Sequence, residues 1–211
     1  MKGLDISFSQ PSSQWWADRY AEGHRVMVQN LWTGGFASNA GILAVAATNL
    51  QRARLAGFRI AGYANASPPD WWSLNIQMGN IRLNAGAEWG NISDVVIDAE
   101  IPGITEARVM ELADGLDATG KVVDVLYTAH WFWTGHMGNS ASIAWRRFRL
   151  WPADYDGDAT IDFPRPFGPW KLADLVGKQY AGTTRIDGHD VDLNTFEDSW
   201  LEDDMGMTEE E

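Results

Sequence analysis

Five short runs of apolar and β-branched residues alternate with helix-length stretches through the first two thirds of the chain, and that rhythm leaves few architectures open. The runs cover 3–7, 25–31, 58–64, 94–99 and 122–128, with the intervening stretches near 12–21, 40–56, 70–86 and 105–119. Strands spaced this way imply parallel pairing through crossover helices. The clearest helix is 40–56. Leu43, Ala46, Ala47, Leu50, Ala53 and Arg54 recur at helical spacing, Asn39 stands where a cap belongs, and Gly57 stands where the helix should stop. A shorter helix is expected at 140–147. The last third differs: 148–152, 177–181 and 191–194 read as strands with little room for helices between them. Asp187-Gly188, within Arg185-Ile186-Asp187-Gly188, is a hairpin signal. The expected fold class is therefore α/β, an irregular TIM-like barrel of five β/α units followed by three β-strands. A chain of 211 residues, 45% apolar and without an internal repeat or linker, suits one such domain.

Polar residues then fall in a pattern that the barrel makes meaningful. Asp98-Ala99-Glu100 closes the apolar run Val95-Val96-Ile97 and precedes Pro102-Gly103. Residues two apart on a strand share a face, so Asp98 and Glu100 point the same way, with Val96 below them and Val95, Ile97 and Ala99 on the other side. Two carboxylates on a buried face are costly unless they are paired or put to work, and neighbouring acids can separate in pKa into an acid and a base. In barrels of this kind the active site lies at the C-terminal strand ends. Asp5 late in the first strand, Tyr63 ending the third, Tyr127 ending the fifth and Asp192 in the last converge with Asp98 and Glu100 on one rim.

Charge and cysteine content narrow the chemistry. The net charge is −13, and eight acids without a single Lys or Arg lie in 197–211, leaving the body at −5. Domain 1–196 is thus expected to be the barrel and 197–211 a flexible acidic tail. An acidic body disfavours nucleic acid as a partner. There is no cysteine, so thiolate and disulfide chemistry are absent, and His24, His130, His136 and His189 form no HExxH-type pair, so no metal or other cofactor is expected. Asp154, Asp156 and Asp158 resemble a fragment of a calcium loop without its closing Glu and read as a solvated turn. Arg146, Arg147 and Arg149 form the one basic cluster, read as structural. No apolar stretch is long enough to span a membrane and no secretory signal is visible, so a protein acting outside the cell would leave by another route or be released at lysis. Twelve tryptophans, among them Trp15-Trp16, Trp71-Trp72 and the Trp131-Phe132-Trp133 triplet, suit a carbohydrate site, since aromatic faces stack on sugar rings.

Ordered blocks along almost the whole chain carry a family resemblance. They are Gly3-Leu4-Asp5-Ile6-Ser7, Ala61-Gly62-Tyr63, Asp98-Ala99-Glu100, Leu150-Trp151-Pro152-Ala153-Asp154-Tyr155, Lys178-Gln179-Tyr180, and Asp187-Gly188 with Val191-Asp192-Leu193-Asn194-Thr195-Phe196. In these the chain resembles glycoside hydrolase family 25, the Chalaropsis-type lysozymes common among phage endolysins and bacterial autolysins. The resemblance implies a flattened barrel of five β/α units and three closing strands. It also implies cleavage of the β-1,4 bond between N-acetylmuramic acid and N-acetylglucosamine in peptidoglycan. By the same resemblance Glu100 is the proton donor, Asp98, Asp5 and Asp192 are its accompanying carboxylates, and Tyr63, Tyr127, Tyr155 and Gln179 line the sugar groove; Trp131, from the aromatic triplet, is a further candidate for binding substrate. The partner is then a peptidoglycan glycan strand, met by a monomer at the bacterial cell wall. The group opposite Glu100 stays open: Asp98 or Asp5 as nucleophile, or the substrate's own N-acetyl oxygen oriented by an aspartate. Two rival readings remain at this point. One is a non-catalytic glycan-binding or phage structural module on the same barrel, and the other a chitinase-like glycosidase.

Overall fold

The computed structural model describes residues 1–200. Eight strands, β1 (Lys2–Ile6), β2 (His24–Trp32), β3 (Arg59–Asn65), β4 (Val95–Asp98), β5 (Val125–Ala129), β6 (Arg149–Ala153), β7 (Gly177–Ile186) and β8 (His189–Phe196), close into one barrel in sequence order. Strands β1 to β7 run parallel, and β8 runs antiparallel to both of its neighbours, β7 and β1. A helix follows each of the first five strands: α1 (Ser13–Ala21), α2 (Phe36–Leu55), α3 (Leu74–Ala85), α4 (Glu106–Asp117) and α5 (His130–His136). The expected five β/α units and three closing strands are therefore present. No helix among the described residues is long and apolar enough to cross a membrane.

Alternation along the strands divides the core in two. Leu4, Met27, Ile97 and Leu126 face outward into the layer that α2 fills with Ile42, Ala46, Leu50 and Ala53. Val28, Ala61, Val96, Trp151 and Phe196 face inward and fill the barrel. Phe196 and Trp200 pack with ring centroids 4.5 Å apart toward the base, the end opposite the C-terminal strand ends. The base also gathers the first residue, whose amino nitrogen lies 2.6 Å from the Phe196 carbonyl oxygen. Two glycines make room for Phe196. A Cβ at Gly3 would lie 2.4 Å from its ring, and one at Gly177 would lie 2.4 Å from the ring and 2.6 Å from the Thr195 carbonyl. Overpacking on this scale costs about 1–3 kcal/mol. Gly177→Ala meets rigid backbone as well as ring, so it is expected at the upper end, as a lower urea midpoint with unchanged slope.

Several local expectations are corrected. Helix α2 begins at Phe36 behind Gly35, so Asn39 is not its cap. Asn39 is buried one turn inside, donating to Asn80 Oδ1 (3.0 Å) and accepting from Asn84 Nδ2 (2.6 Å), so its amide joins α2 to α3. The stretch expected as a helix at 140–147 is a 3-10 segment, Ile143–Arg147. Helix α5 was not expected: seven residues built around an aromatic triplet carry no helical period. The β7–β8 hairpin is longer than its expected strands and turns at Asp187 (φ 47°) and Gly188 (φ 86°), the left-handed pair that a two-residue hairpin needs. Beyond residue 196, Glu197–Trp200 continue the packed structure and Trp200 is buried. Residues 201–211, the greater part of the expected flexible acidic tail, lie outside the described residues.

The acidic and basic clusters resolve into pairs. Lys178 is fully buried, and its ammonium bonds Asp156 and Asp162 at 2.7 Å each, tying the 154–170 loop to β7. Burial pulls the Lys178 pKa down, but the two carboxylates outweigh it and the net shift is upward. Arg147 pairs with Asp114 and Asp117 of α4, and Arg149 with Asp124 at 2.9 Å, in keeping with the structural reading of that cluster.

Candidate active site

At the C-terminal ends of the strands, Asp5, Tyr63, Asp98, Glu100, Tyr127, Trp151, Gln179 and Asp192 line one narrow recess of about 80 Å³. Asp98 is the last residue of β4 and shares its inward face with Val96. Glu100 follows just past the strand, so the period-two argument from sequence places both acids correctly. Their carboxylates are held by different donors. Asp98 Oδ1 accepts the Glu100 backbone N–H (2.9 Å) and Oδ2 accepts Asn65 Nδ2 (2.6 Å). Glu100 Oε1 accepts the backbone N–H of Ala129 at the end of β5 (2.7 Å).

The second carboxylate pair is a product of the antiparallel closure. Asp5 and Asp192 are direct register partners across β1 and β8. Asp5 Oδ2 accepts Asn194 Nδ2 (2.8 Å) and Gln179 Nε2 (3.3 Å). Trp151 Nε1 donates to Asn194 Oδ1 (3.1 Å), which fixes the direction in which the Asn194 amide points. Asp192 Oδ1 accepts the backbone N–H of Thr183. Thr183 sits at a bulge in β7 with φ 45°, a left-handed conformation that a β-branched residue rarely adopts.

The tyrosines divide between floor and mouth. Tyr63 OH meets Ser7 Oγ (2.8 Å) and Asn30 Nδ2 (3.0 Å). Tyr127 OH donates to Gln179 Oε1. Tyr155 is exposed, with its hydroxyl 3.3 Å from that of Tyr127, so it stands at the mouth. Trp131 is not among the residues lining the recess. It lies on α5, 60% exposed, with its ring against Phe132 and His136. Asn65, Asn194, Trp151 and Thr183 were not singled out from sequence for the site. Their roles depend on cross-strand register, which no local pattern reports.

Burial dominates the electrostatics. Asp5 is raised well above the ordinary carboxylate range by burial and then by the charge of Asp192, with the Asn194 hydrogen bond opposing. Asp98 is raised well above it by burial and by the charge of Glu100, against two hydrogen bonds that lower it. Glu100 is raised to about 7 by burial, with the Ala129 N–H opposing. The two carboxylates repel each other, as the sequence argument expected, and Asp98 is the more deeply buried of the two. Asp192 is raised by burial as well. A recess of this kind holds protons near neutrality and presents acid and carboxylate side by side.

No model of a known protein family matches the chain. A probable glycoside hydrolase family 25 lysozyme of Dictyostelium discoideum is 29% identical over 207 residues, covering 92% of this chain. The chain spans only 40% of that relative's length. Among solved structures, a glycosyl hydrolase 25 of Streptococcus pneumoniae, described as a virulence factor participating in host cell invasion, superposes with a TM-score of 0.64 at 15% identity, covering 93% of this chain and 87% of its own. The catalytic domain of an endolysin from bacteriophage P40 of Listeria monocytogenes superposes with a TM-score of 0.62 at 16% identity, covering 94% and 93%. In sequence over nearly its whole length, and in the course of its barrel, the chain resembles glycoside hydrolase family 25.

Proposed function

We propose that the protein is a peptidoglycan hydrolase of the lysozyme type, cutting the β-1,4 bond between N-acetylmuramic acid and N-acetylglucosamine. The observation that carries this reading is the meeting of four acids from three distant segments in one recess, with Glu100 raised to about 7. A module that only held glycan would have no use for four carboxylates at one recess, two buried and two half-buried, which are costly to keep there. The fold likeness and the lysozyme relative support the same reaction class.

In this reading Glu100, protonated below about 7, delivers its proton to the glycosidic oxygen as the sugar gains oxocarbenium character. Asp98 accepts a hydrogen bond at each oxygen, which fixes its orientation beside the acid. Asp5 and Asp192, direct register partners, stand on the opposite wall, where burial favours a proton on Asp5. The anomer of the first-formed product identifies the attacking group: retention means a carboxylate or the substrate's N-acetyl oxygen, and inversion means water.

The test is digestion of purified peptidoglycan with mass spectrometry of the fragments. Muropeptides ending in reducing N-acetylmuramic acid are expected, and reducing N-acetylglucosamine ends, or no release, would remove the assignment. The pH dependence is a second expected outcome. Glu100 acts as the acid, so kcat/KM should fall tenfold per unit above about pH 7 as the free enzyme loses that proton. A rate that stays level to pH 9 contradicts the role.

A further inference from the structure

The recess around the four acids is too small for more than part of one sugar ring, yet it does not end at Asp192. Asp5 and Asp192 also line a second recess of about 290 Å³, which runs past Thr183, Asp190 and Val191 to Ser7, Phe8 and Ser9. The two recesses share those carboxylates and open on the same face of the barrel, because β1 ends there and the β7–β8 hairpin turns there.

Phe8 is the unusual member of this arm. Its ring is 54% exposed, in a segment that is otherwise pinned. Gln29 Nε2 donates to the Ser7 carbonyl (3.2 Å), Asn49 Nδ2 to the Ser9 carbonyl (2.8 Å) and Arg52 Nη1 to the Pro11 carbonyl (2.7 Å). Ser9 Oγ accepts the Asp190 N–H (3.0 Å), joining the segment to the hairpin. The ring itself is seated on α2. A Cβ at Gly41 would lie 3.0 Å from Phe8 Cδ1 and 3.2 Å from Cε1. Gly41 is inside a helix, where glycine is unfavourable, and its φ is not left-handed. The space it leaves for Phe8 is the use the structure makes of it. An apolar ring seated against a helix, on a backbone pinned at both sides, with its rest turned to a recess edged by hydroxyls and carboxylates, is a stacking platform for a sugar.

From this geometry we infer that the arm is a second saccharide subsite, continuous with the acid recess, in which Phe8 stacks on a neutral N-acetylhexosamine beyond the ring held at the acids. Asp5, Asp190 and Asp192 around the arm accept hydrogen bonds from sugar hydroxyls, and because the two sugars of the polymer alternate, the ring next to an N-acetylmuramic acid at the acids is the neutral one. The inference rests on the glycan-cleaving reading of the acid recess. It names which part of the polymer lies on which wall.

Binding separates the two claims, because it is read without turnover. In a Glu100→Gln background, calorimetry compares free N-acetylmuramic acid, a single ring that cannot fill both recesses, with the octasaccharide of alternating N-acetylglucosamine and N-acetylmuramic acid. Phe8→Ala is expected to weaken the octasaccharide roughly five- to tenfold and the single ring less than twofold. Phe8→Trp should retain octasaccharide affinity. Gly41→Ala should raise the melting temperature, by favouring the helix, yet weaken the octasaccharide by displacing the ring, a combination that a purely structural glycine would not produce. An octasaccharide bound no more tightly than the single ring, or a Phe8→Ala loss equal for both, overturns the subsite. A wild-type protein that shows the length-dependent binding but cuts no peptidoglycan overturns the hydrolase reading and leaves the subsite standing.

Discussion

Glu100→Gln is expected to lose roughly 10³-fold in kcat on purified peptidoglycan while melting higher than wild type at pH 8. The two effects share one cause. Gln keeps the size of the side chain and an oxygen to accept the Ala129 N–H, so the recess keeps its shape, but it has no proton to give. The stability change follows from linkage. Glu100 is raised from its ordinary 4.5 to about 7, so the folded state holds this proton more tightly than the unfolded chain does. That contribution is fully present below about pH 4.5 and is lost as pH rises through about 7. At pH 8 an ionised Glu100 therefore costs the fold about 3 kcal/mol, which Gln does not pay. The melting temperature should rise by roughly 6 °C or more at pH 8 and be little changed at pH 4.5. Asp5 and Asp98, raised in the same direction, add to the wild-type slope and persist in the variant. Wild-type turnover in Glu100→Gln removes this residue as the acid, and a lower melting temperature at pH 8 removes the account of its burial.

The second large effect lies outside the recess. Lys178→Met keeps the buried stem and deletes the ammonium, leaving Asp156 and Asp162 facing each other without a cation. Breaking a buried pair costs about 3–5 kcal/mol. Both carboxylates are more than a third exposed, and water can take up part of the loss, so about 3 kcal/mol is the expected size. The sign reverses that of Glu100. The Lys178 hydrogen bond holds Asp156 below its ordinary value, so the stabilisation is present above about pH 4 and lost as pH falls below it. Thermal melts should show the deficit of Lys178→Met at pH 7 shrinking toward pH 3. Adding Asp156→Asn and Asp162→Asn should recover most of it, and a deficit independent of both changes would show that packing, not charge, sets the cost. Tyr155 lies near the start of the loop that this cation ties down, so octasaccharide binding gives a further readout of the loosened mouth.

What could be read from the chain and what could not divides along a physical line. Period-two alternation is local, so the inward face of Val96 and Asp98 was visible before any coordinates. The placing of Glu100 beyond it followed in the same way. The strand count and the helix-free last third were legible for the same reason. Asp5 and Asp192 could be nominated, but their direct pairing depends on β8 running against β1, which no single strand announces. Asn65, Asn194 and Thr183 act across strands through amides and a backbone N–H, and polar residues at strand ends read equally well as solvated turns. Asn39 misled because a buried amide joining two helices has the same residue type as a cap. Helix α5 escaped because two aromatic-rich turns are too short to establish a period. Trp131 shows the complementary limit: an aromatic triplet suggested the groove, and the helix turns its ring against Phe132 and His136.

The reversed final strand also brings the start of β1 and the end of β8 to one side of the barrel. Because β8 descends while β1 rises, the first residue and Phe196 meet at the floor, and the stoppered floor is the far side from the acids. A partner seated against this floor, beside Met1 and Trp200, would sit below the vessel and leave its opening clear.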